Sequence, residues 1–146
     1  MRILLLTLVF LSALAAAPPP EMKAIHKVFV QKMDNDLDQY LRAELTKQFK
    51  GKVVVVAEKT DADGILAGGS QMTTGAVANV TGRVFNRDLA SGTILLLDKD
   101  EKTVLWSDHA GDSAAWYQPT LFSLARRGQE IVASRLIKKL KKAMGY

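Results

Sequence analysis

Two kinds of period run along this chain. Leu37, Leu41 and Leu45 recur every fourth residue, with Tyr40 and Phe49 on or near the same stripe. That is the spacing of one buried helix face. Asp34, Asn35 and Asp36 precede the stripe as candidate N-caps and bring negative charge to the positive end of the helix dipole. Lys47 and Lys50 stand at the other end, and Gly51 suits the position just past it. A second stripe comprises Val132, Leu136, Leu140 and Ala143, widened by Ala133, Ile137 and Met144. Arg135, Lys138, Lys139 and Lys142 occupy its opposite side, so a second amphipathic helix is predicted.

Between the helices the period shortens. "AIHKVFVQ" (24–31) alternates and is β-branched, which predicts a first strand. "KVVVVAE" (52–58) is a continuous β-branched run, the pattern of a strand buried on both faces in the middle of a sheet. "GILAGGSQ" predicts a short strand that loses regularity at its glycines. "GAVANVTGRVFN" (75–86), "GTILLLD" (92–98) and "KTVLWSD" (102–108) then predict a meander, with turns at "RDLAS" and "KDE". "QPTLFSLARRG" reads as a short helical or irregular segment broken by Gly128.

The order strand, helix, several strands, helix gives the fold class. Two helices on one face of a sheet bury both stripes in one core. The expectation is an α+β two-layer sandwich, a mixed, mostly antiparallel sheet of five to six strands with two main helices on one face.

Residues 1–15 read as a secretory signal peptide: Arg2, then an apolar run from Ile3 to Leu14, then small residues before a cut after Ala15. The run is short for a bilayer span, which needs about 20 residues. Residues 16–23 form a Pro-rich spacer, and 24–144 a single α+β domain. No second run is long enough to cross a membrane. There are no cysteines, which excludes disulfides, thiolate metal sites, a cysteine nucleophile and a lipid-modified cysteine. The net charge is +5. For an exported bacterial protein that points away from nucleic acid and toward lipid headgroups, anionic polysaccharide or acidic proteins.

The densest chemistry lies in "VLWSDHAGDSAAWYQ" (104–118). A hydrolytic triad there would use Ser113 or Ser123, His109, and Asp108 or Asp112. Asp108 and His109 are strand neighbours whose side chains diverge, and no glycine-flanked nucleophile elbow surrounds either serine. The stretch reads better as the end of the last strand, with Leu105 and Trp106 on opposite faces. Trp116 and Tyr117 are candidates for a contact patch. His26 and His109 are the chain's two histidines, and neither sits in a short two-ligand motif, so no metal is expected. "DNDLD" (34–38) starts like a calcium loop, but Gln39 and Leu45 stand where glycine and glutamate are needed. "AGGSQMTTG" (67–75) lacks a phosphate-loop lysine and reads as a flexible connection or bulged strand end. No cofactor is expected.

"KVFVQKMDNDLDQYLRAELTKQFKGKVVVVAEKTDADGILAG", with its turn and strand from Asp61 to Gly68, resembles small bacterial envelope α/β domains. These are the curli-secretion-lipoprotein, TolB amino-terminal and penicillin-binding-protein-activator types. The resemblance spans about residues 24–143 and implies a non-catalytic module acting through protein contacts. The chain departs from the lipoprotein members in having no lipobox cysteine. No site residue carries over.

The expected function is an exported, non-catalytic binding or adaptor module of the bacterial envelope with a protein partner. Its candidate surface is His109, Trp116, Tyr117, Arg135, Lys138, Lys139 and Lys142. Two alternatives stand beside it: a small hydrolase using residues 108–113, and a binder of anionic lipid or polysaccharide through the basic last helix.

Overall fold

In the computed structural model, residues 20–78, 84–111 and 128–146 are described. The order is α1 (Pro20–Lys23), β1 (Lys27–Val30), α2 (Leu37–Phe49), β2 (Val54–Val56), β3 (Gly64–Ala78), β4 (Val84–Asp98), β5 (Val104–Gly111) and α3 (Gly128–Ala143). The five strands form one sheet in the order β2-β1-β3-β4-β5. β1 is parallel to β2 and β3, and the β3–β4 and β4–β5 pairs are antiparallel. This is the mixed α+β sandwich expected. The proposed signal segment lies outside the described residues.

Both helical stripes meet one face of the sheet. Leu37, Leu41, Leu45 and Phe49 of α2 and Val132, Ala133, Leu136, Ile137 and Leu140 of α3 are buried in one cluster with Val28, Val30, Leu66, Ile94 and Leu96. Gly92 lies where the helices converge, since a Cβ there would stand 3.1 Å from Val132 Cγ1 and 3.2 Å from Leu37 Cδ2. Gln48 Nε2 donates to the Ser134 carbonyl at 3.1 Å, and Lys141 Nζ to the Gln48 carbonyl at 3.0 Å. Met22 in α1 is also in the core, so packing begins before residue 24. Beyond Met144, the Tyr146 ring meets Phe49 edge-on at 5.6 Å.

Several local expectations are corrected. "KVVVVAE" is not a central strand. Three of its residues form the edge strand β2, with Val53 buried just before it and Val54 51% exposed. The glycines of "GILAGGSQ" do not end a strand, because β3 runs unbroken through them to Ala78. A side chain at Gly68 would overlap the Thr93 carbonyl oxygen, so glycine there serves close strand approach rather than a turn. The predicted strand 75–86 is split between β3 and β4, which pair in antiparallel register from Gly64–Asp98 to Ala78–Val84. The "RDLAS" turn lies inside β4. At the start of α2, Asn35 and Asp36 adopt φ of 53° and 59°, and neither Asp34 nor Asp36 caps with its side chain. The buried Asp38 carboxylate instead accepts the Met33 N–H at 3.2 Å.

Candidate functional site

The sheet has a second face with no described helix on it. Strand alternation assigns its residues. Val28, Leu66 and Leu96 face the helices, so the intervening positions face the other way. The register then aligns Val56, Phe29, Ile65, Leu97 and Val104 in one apolar row across all five strands. Ala67 and Leu95 follow. The next rows turn polar: Gly69, Thr93 and His109, then Gln71, Ser91 and Gly111.

One end of this face is covered. Ile65 and Ala62 are fully buried yet lie outside the main core cluster. The return from β2 to β3 makes a 3-10 turn at Lys59–Asp61 that packs against β1. Right-handed crossovers put that return on the face opposite α2. Glu101, in the β4–β5 turn at φ 58°, accepts hydrogen bonds from Lys59 and Gln31. Asp63 holds the end of the return, accepting the His26 N–H at 3.1 Å and the Lys27 N–H at 2.9 Å. Burial works to raise its pKa, and these two donors overrule it, so the carboxyl sits below its usual range.

The other end is open. A cleft of about 490 Å³ is lined by Asp34, Ser70, Gln71, Ser91, Thr93 and His109, with backbone of Gly69 and Gly92. His109 Nδ1 lies 3.1 Å from Thr93 Oγ1, directly across the β4–β5 pair. Asn35 Nδ2 reaches the Ser70 carbonyl at 3.1 Å, and Ser70 Oγ donates to the Asp34 carbonyl at 2.8 Å. From the other side, Gln129 Nε2 donates to Ser70 Oγ at 3.0 Å. The cleft wall is therefore fixed by the first turn of α3 and the turn before α2. Its groups are hydroxyls, an amide, an imidazole and the Asp34 carboxylate, a set suited to hydrogen-bonded recognition.

Asp108 and His109 do diverge. Asp108 pairs with Ile94 on the helix side, where its Oδ1 accepts Lys139 Nζ at 2.7 Å and the His109 N–H at 2.7 Å. Lys139 is the main reason the Asp108 carboxyl is held low, burial opposes it, and the His109 N–H adds to the lowering. The imidazole lies on the opposite face with Thr93, so these two residues do not form the acid–histidine half of a triad. Asp112, Ser113, Trp116, Tyr117 and Ser123 lie outside the described residues. Among the described residues no group of three metal-binding side chains forms.

The basic face of α3 divides into two pairs. Arg135 donates to the Gly111 carbonyl, and Lys139 reaches Asp108 and the His109 carbonyl, the latter at 2.8 Å. Lys138 and Lys142 are exposed, without an ion pair among the described residues. The predicted face of four charges is thus half engaged with β5. The cleft residues from β3 and the turn before α2 went unseen in the sequence. They become neighbours through strand register, which leaves no local pattern.

No family model matches the chain, and no curated protein matches it. Among solved structures it is similar to a PelC dodecamer from Paraburkholderia phytofirmans, at 16% identity and a TM-score of 0.49, covering 88% of this chain and 93% of that one. It is similar to a minor lipoprotein from Acinetobacter baumannii, at 17% identity and 0.41, covering 80% and 90%. A third likeness is to uncharacterized lipoprotein B from Nitrosomonas europaea, at 12% identity and 0.41, covering 82% and 80%. Among the described residues no helix is long and apolar enough to cross a membrane.

Proposed function

We propose that this chain is an exported binding module of the bacterial cell envelope that holds a partner protein on the helix-free face of its sheet. The observation that carries this reading is the gradient on that face. Beyond the covered Ile65, half-buried Leu95 and Leu97 and Val104, 54% exposed, leave an apolar strip that gives way, at the fourth pair after Leu97–Val104, to the polar cleft at Thr93 and His109. An apolar patch bordered by hydrogen-bonding groups is the usual composition of a protein-binding surface. The signal-like N-terminal segment supports export, and the divergence of Asp108 from His109 argues against hydrolysis by that pair.

The test uses substitutions at exposed positions. Gln71→Arg fills the cleft and Val104→Asp charges the apolar row. Each should weaken capture of the envelope partner at least tenfold, about 1.4 kcal/mol. Lys138→Glu combined with Lys142→Glu should leave capture unchanged. The reverse outcome, with binding that weakens as salt rises, would replace this reading with the anionic-surface one.

A further inference from the structure

β3 and β4 are much longer than the strands beside them. β1 pairs with β3 only at Gly64–Leu66, and β5 pairs with β4 only at Ser91–Leu97. The β3–β4 hairpin therefore extends past both neighbours as a two-stranded ribbon, roughly 20 Å long at the rise of a strand. Such a ribbon is marginal in water by itself.

Its two edges differ. Leu66 directs its carbonyl away from β4, accepting the Gln31 N–H at 2.9 Å. By alternation Gly68, Ser70, Met72, Thr74, Ala76 and Ala78 turn their backbone groups to the same outer side. Asn35 closes the Ser70 carbonyl. From Met72 to Ala78 no described strand pairs with this edge. The segment "MTTGAVA" (72–78) carries neither charge nor proline, the usual guards of an open edge. The opposite strand, "VFNRDLA" (84–90), contains Arg87 and Asp88. At β5 three groups of the outer edge are closed: Asp108 takes the His109 N–H, Lys139 the His109 carbonyl and Arg135 the Gly111 carbonyl. Among the described residues, side chains guard the outer edge of β5, and none guards the β3 edge from Met72 to Ala78.

We infer that residues 72–78 of β3 pair with the same residues of a second copy, forming an antiparallel two-fold dimer. The bare segment is self-complementary. With Gly75 on the axis, Met72 lies opposite Ala78 of the partner copy and Thr74 opposite Ala76, and every outward group finds a mate, in about eight hydrogen bonds. Gly75 falls at a non-hydrogen-bonded crossing, where the two backbones come closest. This pairing leaves the helix-free face exposed and does not depend on the function proposed above.

The experiment is sedimentation of the exported chain over a range of concentration, beside two variants. Met72→Pro removes an outward N–H without touching the β3–β4 ladder and should weaken the dimer at least tenfold with an unchanged circular dichroism spectrum. Gly75→Cys, in a chain without cysteine, should form a covalent dimer on oxidation, whereas Val104→Cys should not. A chain that stays monomeric at all concentrations would overturn the inference. So would a dimer that ignores Met72→Pro and yields no Gly75→Cys cross-link, or an edge that becomes protected only when another envelope protein is added.

Discussion

The Lys139 ammonium lies 2.7 Å from Asp108 Oδ1 and also donates to the His109 carbonyl at 2.8 Å, so one side chain of α3 fixes both a charge and the backbone edge of β5. Lys139→Met should cost about 0.5–1 kcal/mol in chemical denaturation, because both groups are partly exposed and solvent screens the pair. Asp108→Asn should cost no more than that, since its amide still offers an oxygen to Lys139.

Acid should destabilise the fold through a small set of carboxylates. Asp63, Asp108 and Glu44 all titrate below their ordinary values. For Glu44, burial acts to raise the pKa, and hydrogen bonds from Gln48 and Lys47 outweigh it. Groups depressed in this way contribute stability above their unfolded pKa and lose it as pH falls through the folded one. Denaturation midpoints should be flat from neutral pH to about 5 and fall below about pH 4. Asp63→Asn should destabilise at pH 7 and make the acid slope shallower. An unchanged slope would remove Asp63 from the account.

Adjacent glycines should respond oppositely. A Cβ at Gly68 collides with the Thr93 carbonyl oxygen and lies 3.0 Å from Ile94 Cα, both backbone. Gly68→Ala should cost about 2–3 kcal/mol. At Gly69 the nearest atom is Asp34 Oδ2 at 3.9 Å, so Gly69→Ala should be neutral or slightly stabilising. Thermal melts of the two variants check this directly.

Lys50 closes α2 with φ 51°, a left-handed conformation that its side chain disfavours. It is exposed, and Lys50→Gly should stabilise the chain by about 0.5–1 kcal/mol.

The helices were legible because their period is local. Leu37 through Phe49, and Val132 through Leu140, announce both their conformation and their buried faces. The sheet was legible as strands but not as neighbours. Four valines in a row read as a central strand, yet Val54 has no described strand on its outer side, and nothing within five residues encodes that. Gly68 looks like a turn residue until Thr93 is placed against it. Asp108 and His109 were separable by alternation alone, whereas Asp34, Ser70 and Thr93 meet only through register.

The most direct test of the central claim is site-specific photocross-linking in the native envelope. Reactive residues placed at Gln71, Val104, Lys138 and Lys142 compare the two faces in one experiment. The account predicts one protein partner captured from Gln71 and Val104 and none from the two lysines. Capture from Lys138 or Lys142, with the sheet face silent, would contradict it.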